Sequence, residues 1–264
     1  MFIIKVGGGK NIKWDYIAQD LKKIKEEVVI VHGANAWMEE IGSKLGISEK
    51  MIVSPSGYIS RYTDNRTMEI LTMVYCGLIN KKIIAYMQKH GINAIGLSGA
   101  DGRLWLGKRK EVILSQEGDK TKIIRDSVTG NVESVNAELL QLLIHAGYIP
   151  VITIPAITKA GDLINVDNDR AVAIMIRDLK IKKVVVLFEA PGLLDDPMDE
   201  NSKISVIRYN KLDTYIRKTS GRMKKKLLGA KEAFSFGVKT IYFGDGRIPL
   251  PISSALKGKG TVIY

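Results

Sequence analysis

The residues able to do chemistry begin almost at the first position. Residues 2–10 read FIIKVGGGK, an apolar run with one lysine that opens into three glycines. Phe2, Ile3, Ile4 and Val6 are the aromatic and β-branched types that suit a buried strand. Gly7 and Gly8 have no Cβ, so their N–H groups can come close to a ligand and adopt backbone angles closed to other residues. Lys5 places a fixed positive charge at the mouth of that loop. Lysine beside bare amides is chemistry for a phosphate, although these residues alone equally fit a strand followed by a flexible turn.

Further along, Val31-His32-Gly33-Ala34-Asn35 precedes an amphipathic run from Trp37 to Leu45. A strand feeding a glycine loop at a helix start presents free amides to an anion. Gly57-Tyr58-Ile59-Ser60-Arg61-Tyr62-Thr63-Asp64 precedes a long helical pattern, and its Arg61 could pair bidentately with a carboxylate. A surface arginine near a helix start would read the same way. In Ile164–Arg170, Asn165 can bind polar groups of a substrate. Asp169 stands at or near a helix start, where the dipole favours its charge and it could orient nearby lysines. Asp167 reads as a plain helix cap. Gly221-Arg222-Met223-Lys224-Lys225-Lys226 is a second concentration of positive charge. Leu227 and Leu228 follow it, so the run reads as a helix on which one or two lysines face a site, or else as a solvated face.

Two familiar motifs fail. A dinucleotide fingerprint needs a small residue where Ile12 stands and an acidic residue where the next strand ends in His32-Gly33. The run from Gly102 to Lys108 has P-loop spacing, but Arg109 replaces the hydroxyl residue, and the context is a hairpin rather than a strand leading to a helix. His32, His90 and His145 show no metal-ligand spacing, and no serine or cysteine occupies a nucleophile elbow. A reaction needing no general base fits such a set. Phosphoryl transfer to a carboxylate is one, because a carboxyl with a pKa of ~4.3 is already ionised at neutral pH. Catalysis then reduces to aligning two anions and screening the charge between them.

These residues must be carried by an α/β scaffold. Val28–Val31, Ile92–Leu97, Tyr148–Ile154, Lys183–Phe188 and Val238–Phe243 are apolar almost throughout, as buried parallel strands are. Asp15–Glu27, Asn65–His90 and Asn136–Ala146 between them are amphipathic, which predicts a mostly parallel sheet with helices on both faces. Arg103–Val135 breaks the rhythm with short strands and hairpin turns at Glu117-Gly118-Asp119 and Thr129-Gly130-Asn131, a small antiparallel excursion. A lobe boundary is expected where the helix Asp169–Leu179 runs into Lys180–Lys183.

The chain has 264 residues, 45% of them hydrophobic, enough for one large α/β domain or two lobes. Its single cysteine, Cys76, excludes an internal disulfide and fits a reducing cytoplasm. The apolar runs are too short to span a bilayer, and a strand at the start leaves no room for a signal peptide, so a cytoplasmic protein without membrane contact is expected. The net charge of +12 favours an anionic partner: nucleic acid, a nucleotide or an acidic protein. Nucleic acid is disfavoured, because neither interleaved aromatics nor a recognisable module accompanies the charge.

Taken in order, KVGG (Lys5–Gly8), VHG (Val31–Gly33), SRYTD (Ser60–Asp64), GLSGADG (Gly96–Gly102), NVDND (Asn165–Asp169), PGLL (Pro191–Leu194) and GRMKKKL (Gly221–Leu227) resemble the motifs of the amino acid kinases. The resemblance covers essentially the whole chain and is nearest the acetylglutamate kinase branch. Within that branch it is nearest the kinases of aminoadipate or glutamate borne on a LysW-type carrier protein. It implies a three-layer αβα sandwich, with residues 1–178 for the acceptor and 179–264 for ATP. Lys5 and Lys226 would neutralise the transferring phosphoryl group, Gly8 would donate its N–H to it, and Asp169 would hold the lysines. Arg61 and Asn165 would grip the amino-acid end. Ala34 and Asn35 would bind the acceptor carboxylate through the backbone, and Gly7, Gly192 and Lys226 would lie on the nucleotide side. ATP with Mg2+, a homodimer and an acidic carrier are implied as cofactors and partners. Arg103, Lys108, Arg109 and Lys110 are candidates for the rim that receives the carrier. The family loop usually reads HGGG, and here Ala34-Asn35 departs from it. Arginine-inhibited relatives carry an extra N-terminal helix, so no arginine feedback is expected. A free acetylglutamate kinase, a non-catalytic regulatory protein and a basic nucleic-acid binder are the competing readings, and retention of Lys5, Lys226 and Asp169 speaks against the second.

Overall fold

Short runs of valine and isoleucine form the centre of the molecule because they have nothing to gain from water on either face. The structure is a computed structural model and describes every residue except Ser48, Ser56, Tyr58 and Asp119. In chain order the first part comprises β1 (Phe2–Val6), α1 (Trp14–Leu21), β2 (Val28–His32), α2 (Asn35–Lys44), β3 (Met51–Val53), β4 (Ile59–Arg61) and α3 (Asn65–Thr72). The last of these continues through a wider-wound segment, Met73–Ile79, into α4 (Asn80–Lys89). Then come β5 (Ala94–Ser98), β6 (Trp105–Arg109), β7 (Ile113–Glu117), β8 (Lys120–Ile124), β9 (Gly130–Val135), α5 (Ala137–His145), β10 (Ile149–Thr153), β11 (Ala156–Thr158), β12 (Leu163–Ile164) and α6 (Asn168–Leu179). The remainder is β13 (Lys183–Phe188), β14 (Leu193–Leu194), β15 (Lys203–Ile204), β16 (Val206–Ile207), α7 (Leu212–Lys218), α8 (Gly221–Ser235), β17 (Thr240–Asp245), α9 (Pro251–Leu256) and β18 (Thr261–Ile263).

Eight strands form the main sheet in the order β16-β18-β17-β13-β1-β2-β10-β5. All neighbours are parallel except β17 and β18. Helices flank this sheet: α6 and α8 pack together on one face, while α9 lies on β13 and β17 at the other and continues through α1 to α4. Strand alternation assigns the faces. Val186 and Phe243 look toward α6 and α8, whereas Gly244 lies against Ala255 of α9. Lys5 is in register with Val186, so it points to the α6–α8 side. β1 lies between β2 and β13, and β2 and β13 lead the chain away on opposite sides. The carboxyl end of β1 is thus a topological switch point, where open α/β sheets form their crevices.

The irregular stretch is larger than a hairpin. β7 and β8 do form an antiparallel hairpin, turning at Gly118 with φ +60°, although Asp119 of the expected turn lies outside the described residues. Beside it stands a second, four-stranded sheet, β12-β11-β6-β9, in which β6 is antiparallel to β9 but parallel to β11. Thr129-Gly130-Asn131 is therefore no turn. Gly130 and Asn131 belong to β9, and a Cβ on Gly130 would fall 2.4 Å from the Lys108 carbonyl oxygen. The glycine there permits two strands to approach, not a reversal of the chain. The expected lobe boundary falls where Lys180, at φ +55°, ends α6, and the main sheet then continues unbroken into β13.

Among the described residues, one helical run, Asn65–Lys89, is long and apolar enough to cross a membrane. In the fold its segments pack against β5, β10, α1 and α2.

Candidate active site

Lys5 projects from the buried β1 next to the first turn of α6, where Asp169 meets it. Lys5 Nζ lies 2.6 Å from Asp169 Oδ1, and Lys5 is only 5% exposed. Burial pulls the Lys5 ammonium down, but Asp169 more than restores it and leaves it raised. Lys226 comes from α8 and completes the group, its ammonium 5.6 Å from the centre of the Phe188 ring. Burial and the neighbouring Lys5 charge push Lys226 down to about 8. Burial would push the Asp169 carboxyl up, yet Lys5 and Lys226 hold it well below the usual carboxylate range. Asp167 also acts on both lysines and Lys225 acts on Asp169, so three lysines stand against two carboxylates and the group keeps a net positive charge, which suits an anion.

Two local features bring these residues together. Asp167 caps α6, accepting from the Asp169 and Arg170 amides, and so fixes the first turn that bears Asp169. Gly229 on α8 lies against Asp169, and a Cβ there would meet the Asp169 Cβ at 2.9 Å. A side chain at 229 would drive the Lys226 helix off its partner.

The glycine loop faces a helix N-terminus. α2 starts at Asn35, two residues before the amphipathic run is evident in the sequence, with Ala34 as its N-cap. A Cβ on Gly8 would fall 2.5 Å from both the Ala34 and the Asn35 nitrogens, so only glycine lets the loop and helix start touch. Ala36 N–H donates to the Gly8 carbonyl at 3.1 Å and ties the two together. Gly7 is held by its N–H to Leu187 O at 2.8 Å, which anchors the loop across β13.

Arg61, at the end of β4, does have a carboxylate, but one from the same chain. Its Nε and Nη2 reach Glu49 Oε1 at 2.7 and 2.5 Å. Asn165 follows β12 and donates through Nδ2 to Thr63 Oγ1 at 2.8 Å, linking the SRYTD run to the NVDND run. The Tyr58 that begins the first of these neighbourhoods lies outside the described residues. Gly192 immediately precedes β14, and a Cβ there would fall 2.6 Å from Thr261 Oγ1 and 3.2 Å from Lys203 Cγ, so only glycine fits between those neighbours.

Three residues that sequence reasoning missed belong to the same region. Glu49 pairs with Arg61, as above. Tyr75 is buried, and its hydroxyl donates to Asn35 Oδ1 at 2.6 Å. Glu189, just after β13, fills the space beside Gly9 and accepts from Asn11 N–H at 2.6 Å. An aromatic inside an apolar helix reads as core, and nothing in the spacing marks Tyr75 otherwise. Glu189 did carry a signal, an acid closing a buried strand.

His32 takes no part as an acid or base. Burial pushes it down to about 4, and its Nε2 faces Asn80 Nδ2 at 3.1 Å while Trp14 lies edge-on to its ring, so it is a neutral brace between β2 and the helices α1 and α4. Among the described residues no three of His, Cys, Asp or Glu gather as they would around a metal ion.

A mostly parallel α/β sheet with lysines and a glycine loop at its switch point defines a phosphate-handling α/β enzyme. The Amino acid kinase family matches residues 1–245. The chain is 45% identical to the [LysW]-aminoadipate kinase of Deinococcus radiodurans, covering 100% of this chain and 91% of that one. It is 41% identical to the [LysW]-aminoadipate kinase of Thermus thermophilus over 100% of both chains. It is also 30% identical to the acetylglutamate kinase of Methanopyrus kandleri over 100% of both. Among solved structures, N-acetylglutamate synthase from Neisseria gonorrhoeae shares the fold with a TM-score of 0.78 at 16% identity, covering 100% of this chain and 59% of that chain. The chain belongs to the amino acid kinase family.

Proposed function

We propose that this protein transfers the γ-phosphoryl group of ATP to the side-chain carboxylate of aminoadipate or glutamate carried on a small acidic protein. The observation that carries the reading is the convergence of Lys5 and Lys226 on Asp169, opposite the amides at the start of α2. In this mechanism the acceptor carboxylate is held at those amides and needs no base, being ionised already. One of its oxygens bonds to the γ-phosphorus as the bond from phosphorus to the β,γ-bridging oxygen breaks, giving an acyl phosphate and ADP. Lys5 and Lys226 neutralise the charge spread over the oxygens in flight, and the Gly8 N–H supplies a further donor. Asp169 keeps the lysines in place. Arg61, released from Glu49, and Asn165 hold the amino-acid end.

Residues 1–178 would serve the acceptor and 179–264 the nucleotide, with Gly7 and Lys226 against its phosphates. Mg2+ arrives on the triphosphate: Asp169 is engaged by Lys5 and Asp167 by the amides it caps, so these residues do not form a metal cage, and no step above depends on one. A homodimer in the cytoplasm without nucleic-acid or membrane contact completes the reading.

The identities to the two [LysW]-aminoadipate kinases support the carrier-borne acceptor, and the acetylglutamate kinase match supports free acetylglutamate as the alternative. Steady-state kinetics with carrier-linked aminoadipate, carrier-linked glutamate and free acetylglutamate separates them. Turnover of the carrier-linked forms alone is the expected result. Efficient use of acetylglutamate with no gain from the carrier would leave the ordinary acetylglutamate kinase instead.

A further inference from the structure

Asn35 adds a side chain at a helix start where backbone amides face the glycine loop, and the fold takes trouble to aim it. Tyr75 comes from the wider-wound segment Met73–Ile79 inside the long helix, a type of distortion that re-aims side chains. Its ring is 1% exposed, while Asn35 itself is exposed, so the phenol oxygen stands at the boundary between core and crevice. The phenol hydroxyl donates to Asn35, whose Oδ1 accepts it at 2.6 Å. An amide that spends its oxygen on Tyr75 must present its NH2 in the other direction.

We infer that Tyr75 is a positioning residue that fixes the Asn35 amide, so that Nδ2 becomes a side-chain donor for an oxygen of the acceptor carboxylate, beside the backbone amides of α2. The inference rests on the reading that a carboxylate binds at this helix start. In the free protein Nδ2 has no partner among the described residues, so it is available to an incoming anion. A neutral donor suits this place. The phosphoryl group must approach the same carboxylate, and Lys5 and Lys226 already supply the charge.

The test is a double-mutant cycle of Tyr75→Phe and Asn35→Ala, with acceptor KM, ATP KM and kcat measured for each of the four proteins. Tyr75→Phe keeps the buried ring and removes only the hydroxyl. Each single variant is expected to raise the acceptor KM about threefold to tenfold, as loss of one hydrogen bond does, with ATP KM unchanged. The double variant should match Asn35→Ala alone, because Tyr75 acts through Asn35. Additive losses, or a Tyr75→Phe protein indistinguishable from the parent, would overturn the inference. The bond can also be read without substrate. In 15N spectra the Asn35 side-chain NH2 signals should shift in Tyr75→Phe, and unchanged signals would overturn it as well. If the parent protein phosphorylates no carboxylate at all, the acceptor reading fails, while the spectral result still decides whether Tyr75 holds Asn35.

Discussion

Two regions of positive charge, alike in the sequence, differ in almost everything once folded. Lys5 is buried and Lys226 half-buried around Asp169, where their charges act strongly on one another and are partly desolvated. Arg103, Lys108, Arg109 and Lys110 stand exposed along β6 and its ends, where water and salt screen them. Even within this second set the roles divide: Arg109 bends back to the carbonyls of Ser127 and Arg125, at 2.8 and 3.0 Å. Lys110 is partly desolvated and pushed down, with Arg170 adding to the effect and Asp167 opposing it. The lesson is that a count of lysines says nothing of what they do. A charge that acts on a bond in flight must be buried and paired, whereas a charge that acts on a partner's approach must be left in solvent.

The largest expected effect breaks the buried set. Lys5→Ala and Lys226→Ala should each lower kcat by about a hundredfold or more while ATP binding weakens far less, since each charge is felt most in the transition state. Removing Lys5 also strands the Asp169 carboxylate without its nearest cation, so Lys5→Ala should cost stability as well. Steady-state turnover assays beside thermal unfolding of the same proteins would check both. Near-normal turnover in either variant would remove that lysine from the mechanism.

The second expectation sharpens the comparison by titration. Lys226 at about 8, below the ordinary lysine value, is charged in the free protein under neutral conditions and loses its proton above that pH. Bound triphosphate favours the ammonium, so its pKa must rise in the complex. Below about pH 8 the proton is already present, and affinity is unaffected. Above it, binding must take up a proton, and affinity for a non-hydrolysable ATP analogue should fall, at most about tenfold per pH unit. Calorimetry in buffers of different ionisation enthalpy would detect the proton uptake. Lys226→Arg, which cannot lose its charge at these pH values, should flatten the profile. The exposed lysines of β6 should leave no such signature.

How much of this was legible beforehand follows from the physics of each part. The five apolar runs predicted five strands of the main sheet, because burial on both faces leaves a continuous hydrophobic run. Lys5, Gly8 and Asp169 were legible because a charge or a bare backbone set against a buried strand or a helix start has little use there except to meet another charge. The pairing of β6 with β11 was hidden, since it joins residues some fifty positions apart and no local pattern encodes it. Gly130 misled for a related reason: a glycine marks a turn and a close strand approach with the same letter. Arg61 was expected to pair with a carboxylate at the acceptor's amino-acid end; that it meets Glu49 of its own chain, through one oxygen, is a tertiary fact with no local signal. Tyr75 was invisible because the widening of the helix that turns it toward Asn35 has no signature in an apolar run.

The smallest effect belongs to the exposed set and acts on rate of encounter rather than on chemistry. If an acidic carrier delivers the acceptor, replacing Arg103, Lys108 and Lys110 by glutamate should lower kcat/KM for the carrier-linked substrate by about tenfold at low salt. Saturated turnover should hardly move, because the buried charges that meet the phosphoryl group are untouched. Salt should erase the difference. The Debye length falls from ~10 Å at about 0.1 M to ~3 Å at about 1 M, so the rim of the parent protein loses its reach and the two proteins should converge. Arg109→Glu offers an internal contrast. Its guanidinium is already engaged by two carbonyls, so its replacement should act mainly on stability and less on encounter than Lys108→Glu. A salt-independent kcat/KM with the carrier-linked substrate, or equal losses in kcat, would show that this face is not where the acceptor arrives, and the comparison between the two regions would have to be redrawn around another basic surface.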